Sequence, residues 1–493
     1  MRAEVLPGLM GGPLRRRIVR GAAHLMDANP WGWVPTIVAV LLLVGLALRL
    51  DGYTSFPRFG ANEDEVAWAW LGQSLWLHHW PASWSYLPEH LPVTVMQTSQ
   101  GVLLPWVSPW LDHPPLFGLL VGGVALLGGE RTPTEVGPAA IRLVPILLSM
   151  VTAWLLYLLA ARHLGRATAL VALAVFCLSP WMIDASRLVE AEWLLAPMLL
   201  GVLVLASHRG RLPTATLLAL CVLAPLVKVP GVIVGAAAAV ALLTERRWMT
   251  AGLALLGAPV GIGLFAAYGA AVDWHQFVLV WQVQSARHTS LVAGRQFLFS
   301  ADAGLWNFVP LDDPFWTVGM VGLAVMLLRQ PLGRSVRIPL AFAGYALLMT
   351  LTASTEGAQY YDWYRFVVDP LCCIGVGDLV GRNLPRLRIP PLERLGAEIC
   401  AVRGARRGRP EAVTWQSAAP CRAPWRLPPA ALDSAWWTST SSRSTRCDAP
   451  STGSVRRRRP SRSSTSTRRR CASSVPSTPR PSRPSPPATP TRG

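Results

Sequence analysis

VPTIVAVLLLVGLALRL (34–50) decides the class of this fold: seventeen residues carry one charge, Arg49, close to the end. A bilayer core about 30 Å thick asks for roughly 20 apolar residues in helical form. Arg15, Arg16, Arg17 and Arg20 precede the run, and no small-residue cleavage site follows it. It therefore reads as a retained first span and not as a signal peptide. The rest of the chain agrees: 52% of its 493 residues are hydrophobic and only 15% are charged, where a soluble protein carries about a quarter. An ordinary soluble globular class is excluded.

Further apolar runs follow at 115–128, 138–161, 167–183, 193–207, 213–228, 230–243, 249–270, 314–328, 338–352 and 366–380. The expected fold class is all-α, a polytopic integral membrane protein with about 11 transmembrane helices. Three parts are expected: a cytoplasmic N-terminus (1–33), a membrane domain (34–382) and a tail (383–493). By the positive-inside rule the N-terminal arginines lie in the cytoplasm, which places loops 51–113 and 271–313 outside. The connectors RHLGR (162–166), HRGR (208–211) and ERRW (245–248) also belong inside. Strict alternation cannot satisfy them all. If 115–128 crosses, RHLGR lands outside, so either that run is re-entrant or the helix count there is off by one.

The net charge of +19 is misleading, because residues 403–493 hold nineteen Arg against three acids. Rich in Arg, Ser and Pro and without Ile, Phe or Tyr, this tail cannot bury enough apolar area to fold. It reads as a disordered arm against anionic lipid headgroups, as a nucleic-acid binder, or as translation of a wrong frame in GC-rich DNA. No folded module accompanies it, so nucleic acid is not expected as a partner; the frame-shifted origin is favoured. The Ala, Arg, Gly and Pro richness suggests a bacterial genome. The eight cysteines show neither metal-site nor disulfide spacing.

Chemistry-bearing residues gather at the expected outer ends of the runs. GANEDEVAWAWLGQSLW (60–76) sets Glu63, Asp64 and Glu65 just past the first span, followed by Trp68, Trp70 and Trp76. Tryptophan favours the headgroup layer, so a helix lying along the interface is expected, with the acids at its start either capping it or acting on a substrate. LDHPPLFGLL (111–120) puts Asp112 and His113 before two helix-opening prolines. SPWMIDASRLVEAEWLL (179–195) crowds Asp184, Arg187, Glu190 and Glu192 at one junction, with Arg187 and Glu190 spaced to pair. Lys228, the single lysine, interrupts APLVKVPG (224–231), and an ionisable group at membrane depth is a functional candidate by default. Arg365 in EGAQYYDWYRFVVDPL (356–371) opens the last run.

In this order and spacing the segments resemble the membrane-embedded glycosyltransferases of the GT-C superfamily, and within it the protein O-mannosyltransferase and aminoarabinose transferase group. Asp64 and Glu65, followed by Val66, Ala67, Trp68 and Ala69, fit its acidic pair. Asp112-His113-Pro114-Pro115-Leu116 fits its charged entry to the next span. Arg187 with Glu190, and Arg365-Phe366 with Pro370, have counterparts; Glu190 or Glu192 stands where the family usually has Asp. The resemblance implies transfer of a hexose or pentose from a polyprenyl-phosphate donor to a protein, lipid or glycan acceptor. It places the reaction at the outer face of the cell (cytoplasmic) membrane, with inversion. It assigns Asp64 as general base and Glu65 as an orienting group. Asp112, His113, Arg187, Glu190, Lys228 and Arg365 are assigned to donor phosphate and substrate. It leaves open a divalent metal ion at Asp112, although no ligand set in the sequence is specific for one. A polytopic transporter or lipid flippase is the alternative class, disfavoured because the acids cluster in an outer loop and no inverted repeat is visible.

Overall fold

The computed structural model describes residues 33–60, 62–90, 94–285, 297–298, 314–330, 333–352 and 362–383. The expectations for the N-terminus, most of loop 271–313 and the tail fall outside the described residues. Every one of the eleven apolar runs contains a helix. In chain order these are α1 (Trp33–Leu50), α3 (Leu116–Leu127), α4 (Pro138–His163), α5 (Arg166–Leu178), α7 (Glu192–Leu205) and α8 (Arg211–Val227). They continue as α9 (Val232–Thr244), α10 (Trp248–Ser285), α11 (Pro314–Arg329), α12 (Arg337–Thr352) and α13 (Asp369–Asn383). Two more helices are α2 (Asp64–His78), between the first two runs, and the short α6 (Pro180–Ala185), which closes the run 167–183. Among the described residues, three helices, Trp33–Leu50, Pro138–His163 and Trp248–Gln284, are long and apolar enough to cross a membrane; six others are apolar but shorter.

The all-α expectation needs one addition. Between α2 and α3 the loop forms a three-stranded antiparallel sheet, β1 (Ser83–Trp84), β2 (Thr94–Gln97) and β3 (Leu103–Val107), in the order β1-β3-β2. The pairing sets Trp84 and Thr94 on either side of Trp106.

The bundle has two chemically distinct ends. At one, Arg337 donates to Ser207 Oγ (2.9 Å), Thr244 Oγ1 (2.9 Å) and Glu245 Oε1 (2.7 Å). Arg247 reaches His208 O (3.0 Å) and Thr214 Oγ1 (2.7 Å), and Arg162 reaches Ser207 O (3.2 Å). The ends of α4, α7 and α9 thus meet the starts of α8, α10 and α12. At the other end, Arg187 donates to Leu48 O (2.8 Å) and Arg49 O (3.2 Å), and Arg142 to Tyr53 O (2.8 Å). That brings the end of α1 to the start of α4.

The helix α3 has 12 residues and is about 18 Å long at roughly 1.5 Å per residue. Its C-terminal end lies beside α2 and the start of α4: Gln73 Nε2 donates to Glu130 O (2.8 Å) just past that end, and a Cβ on Gly128 would sit 2.9 Å from Ala140 Cβ. The run 115–128 folds back on α2. RHLGR, HRGR and ERRW meet at one end of the bundle.

The α2–α3 hairpin is held by glycine. A Cβ on Gly72 would come within 1.8 Å of Gly118 O, and one on Gly122 within 2.3 Å of Gln73 N. Backbone-to-backbone approach of this kind is how helices pack tightly in lipid. It also draws most of α2 inside the protein. Residues Glu65 to Ser74 are buried all round, Trp68 and Trp70 included, because α3 and the sheet cover them; only Trp76 and Trp80 face outward. Gly122→Leu is expected to part the two helices and abolish recovery of monodisperse protein in detergent, whereas Gly252→Ala, at a position facing open space, is expected to leave recovery unchanged. Size-exclusion profiles of the two variants check this.

Candidate active site

The start of α2 is capped by Asn62, not by the acids: its Oδ1 accepts the Asp64 N–H at 3.1 Å. The three acids are therefore released from capping and take different partners. Glu65 is fully buried and forms a bidentate pair with the equally buried Arg142 (3.0 and 3.1 Å from Nη2). Arg142 also donates to Pro57 O at 2.7 Å, so the pair stitches the outer loop to α4. Glu63 accepts the Tyr86 hydroxyl through Oε2, and its carbonyl accepts Trp84 Nε1–H at 2.8 Å. Among the described residues, no hydrogen-bond donor meets the carboxylate of Asp64, which is half-buried. Burial, opposed by Lys228 and reinforced by Glu192, Glu63 and Asp112, pushes Asp64 up to about 6.

Around it converge residues from three distant segments, together with Asn62. Lys228, at the break between α8 and α9, donates to Glu192 Oε1 at 2.7 Å and lies 5.1 Å from the Tyr364 ring centroid. Asn62 donates to Glu190 Oε1. Burial, with Asp64 and Glu192 as charged neighbours, raises Glu190 well above the usual carboxylate range. The second oxygens of Glu190 and Glu192 are buried and have no hydrogen-bond donor among the described residues. Such orphaned acceptors cost free energy unless a donor arrives.

The remaining candidates sort by what they already hold. Asp112 has both oxygens occupied, Oδ2 by Ser85 Oγ–H (2.5 Å) and Oδ1 by His90 Nε2 (2.6 Å). His113 stacks on Trp68 (centroids 5.4 Å, 23°) and meets Trp110 edge-on, inside an aromatic cluster. Arg187 is spent on neighbouring groups. It pairs with Asp184 (2.9 Å), not with Glu190, and its other N–H groups satisfy the last carbonyls of α1 together with Asp51 O. An arginine at a helix C-terminus is favoured by the helix dipole. Arg365 lies 4.6 Å above the Trp316 ring and donates Nε–H to Phe297 O at 3.1 Å. No group of three or more His, Cys, Asp and Glu among the described residues is arranged to hold a metal ion.

The structure adds residues that no motif marked. Asn62 sat in plain view before the acids, where an Asx cap could have been expected. Arg142, His90 and Gln276 carried no local signal, since their partners lie 77, 22 and 186 residues away.

Residues 112–269 match the family model described as dolichyl-phosphate-mannose-protein mannosyltransferase. The chain resembles a GT-C glycosyltransferase. The matched stretch opens at Asp112 and runs through the first limb of α10, so it includes Arg187, Glu190, Glu192 and Lys228 but not the acidic loop. No curated protein sequence is significantly similar to the chain. Among solved structures, ArnT from Cupriavidus metallidurans bound to undecaprenyl phosphate superposes with a TM-score of 0.46 at 15% identity. The match covers 76% of this chain and 64% of ArnT. The archaeal oligosaccharyltransferase AglB from Archaeoglobus fulgidus, in complex with an inhibitory peptide and a dolichol-phosphate, gives 0.45 at 11% identity, covering 76% and 54%. The chain thus spans less than two thirds of the length of either protein.

Proposed function

We propose that this chain is a membrane glycosyltransferase that moves a sugar from a polyprenyl-phosphate donor to an acceptor at the outer face of the cell membrane. The observation that carries the reading is the state of Asp64: a carboxylate that no donor meets among the described residues, with its affinity for protons raised, beside Lys228 and two buried oxygens likewise without a donor among them. The match to the mannosyltransferase family supports the donor class.

The chemistry follows. An acceptor O–H or N–H attacks the anomeric carbon while Asp64 takes its proton, a role best filled by a group titrating near the working pH. The bond from the anomeric carbon to the lipid-phosphate oxygen breaks, and its electron pair leaves with the phosphate. Direct displacement inverts the centre. Lys228 and Arg365 are the cations assigned to the charge developing on that phosphate. Sugar hydroxyls are the donors proposed for the second oxygens of Glu190 and Glu192. Glu65, locked to Arg142, holds the start of α2 in place.

Transfer of label from a radiolabelled polyprenyl-phosphate sugar to acceptor, in membranes containing the wild-type chain but not in control membranes, tests the reading. Absence of transfer across mannosyl, glucosyl, arabinosyl and aminoarabinosyl donors would overturn it.

The proposed topology has ten crossings, with α2 and α3 folded back on the outer side. Cysteine labelling examines it. In a chain whose eight native cysteines are replaced, an impermeant maleimide is expected to label Gln100→Cys in intact cells and Arg209→Cys only after permeabilisation. Both positions are exposed in the fold.

A further inference from the structure

His90 lies in YLPEH (86–90), a stretch without periodicity or motif. Ser85 builds the turn that delivers it. Its Oγ accepts the Leu87 N–H (3.2 Å) while donating to Asp112, and the His90 N–H closes on Leu87 O (3.1 Å). The imidazole is buried, with Nε2 on Asp112 Oδ1 at 2.6 Å. Its other nitrogen faces Gln276 Nε2 at 3.1 Å, and the same amide nitrogen lies 3.1 Å from Glu89 O.

These contacts select one tautomer. A backbone carbonyl only accepts, so the Gln276 amide must turn its NH₂ toward Glu89 O and, with it, toward His90. Nδ1 then accepts and the ring proton sits on Nε2. The imidazole's one N–H is spent on Asp112. Gln276 belongs to α10, which breaks at Asp273 (φ −160°, ψ 101°) and restarts with Asp273 Oδ1 accepting the Gln276 N–H at 3.0 Å. One histidine therefore joins three separate segments: the turn after β1, the entry to α3, and the second limb of α10.

We propose that His90 is a positioning residue, which fixes Asp112 next to Asp64 and splices the outer loop onto the second limb of α10. Its effect on turnover rests on the glycosyltransferase reading; the splice itself does not. Asp112, held by two donors, keeps its charge at one place beside the base, and a small displacement near reacting groups can cost up to about 10²-fold in rate.

The two arms of the imidazole can be separated. Glutamine sets an amide nitrogen close to the place of Nε2, whereas asparagine sets an oxygen close to the place of Nδ1. His90→Gln therefore keeps the donor to Asp112, and His90→Asn keeps the acceptor for Gln276. In the transfer assay His90→Asn is expected to lower kcat by roughly 10- to 100-fold with the donor KM unchanged, and His90→Gln to recover most of the loss. Equal activity of His90→Asn and wild type, or equal damage in both variants, would overturn the positioning role. Hydrogen exchange on the purified full chain reads the splice without any substrate. In His90→Ala and in Gln276→Ala, segments 85–90 and 274–284 are expected to lose protection together. Independent responses would overturn the splice. A wild type without transferase activity would remove the functional reading and leave the exchange result to judge the joint.

Discussion

Replacing Asp64 by Asn is expected to lower sugar transfer by about 10²–10⁴-fold, the range a positioned general base supplies. The substitution keeps the shape and removes the proton acceptor. Folding should tolerate it, because the Asp64 carboxylate meets no hydrogen-bond donor among the described residues and the Asn62 cap on its N–H remains. The wild-type rate should also carry the signature of this group. A base with a pKa of about 6 is ionised above that pH and protonated below it. Transfer should therefore fall tenfold per pH unit as pH drops through 6, and the limb should be absent from the residual activity of Asp64→Asn. Initial rates between pH 4.5 and 8, with equal protein in each membrane preparation, check both statements. Wild-type activity in the variant would dismiss Asp64 as the base while leaving the transferase class standing.

Arg142→Met is expected to be the most damaging single change to the fold among the polar contacts. It strips Glu65 of its partner inside a site with no solvent access, and Tyr53 O and Pro57 O lose their donor as well. Breaking a buried ion pair from one side costs about 3–5 kcal/mol, because the remaining charge stays buried and uncompensated. Removing both charges together is far cheaper. Arg142→Met combined with Glu65→Leu should thus be more stable than Arg142→Met alone, and thermal midpoints in detergent measure the difference. The double variant is also informative about catalysis. If Glu65 only anchors α2, transfer should return along with stability; if its carboxylate meets substrate, stability returns and transfer does not.

The helices were legible in the sequence because an apolar stretch long enough to enter a bilayer has few other solutions: every buried N–H and C=O must be paired within the segment. All eleven runs contain a helix for that reason. The arginine-rich connectors likewise announced one end of the bundle, and the acids and Lys228 the other. What the sequence left undecided was the course of 115–128. Its hydropathy is that of a spanning helix, and only its glycine contacts with α2 and its return beside Ala140 reveal that it folds back.

The same division holds within the site. Asp64, Glu190 and Lys228 stood out in the sequence, since a charge beside an apolar run is expensive and invites a functional explanation. The assignment of roles among them did not. Asp64 and Glu65 are adjacent and chemically alike, yet the helix turn points one into an open cluster and the other onto Arg142. Arg187 reads as a phosphate ligand until the end of α1 is found in its reach. Composition and hydropathy are properties of single segments, so they determined the class of fold and marked the acids and Lys228 as candidates. Which carboxylate is free and which is spent depends on donors brought in from 22 to 128 residues away, and only the tertiary structure decides that.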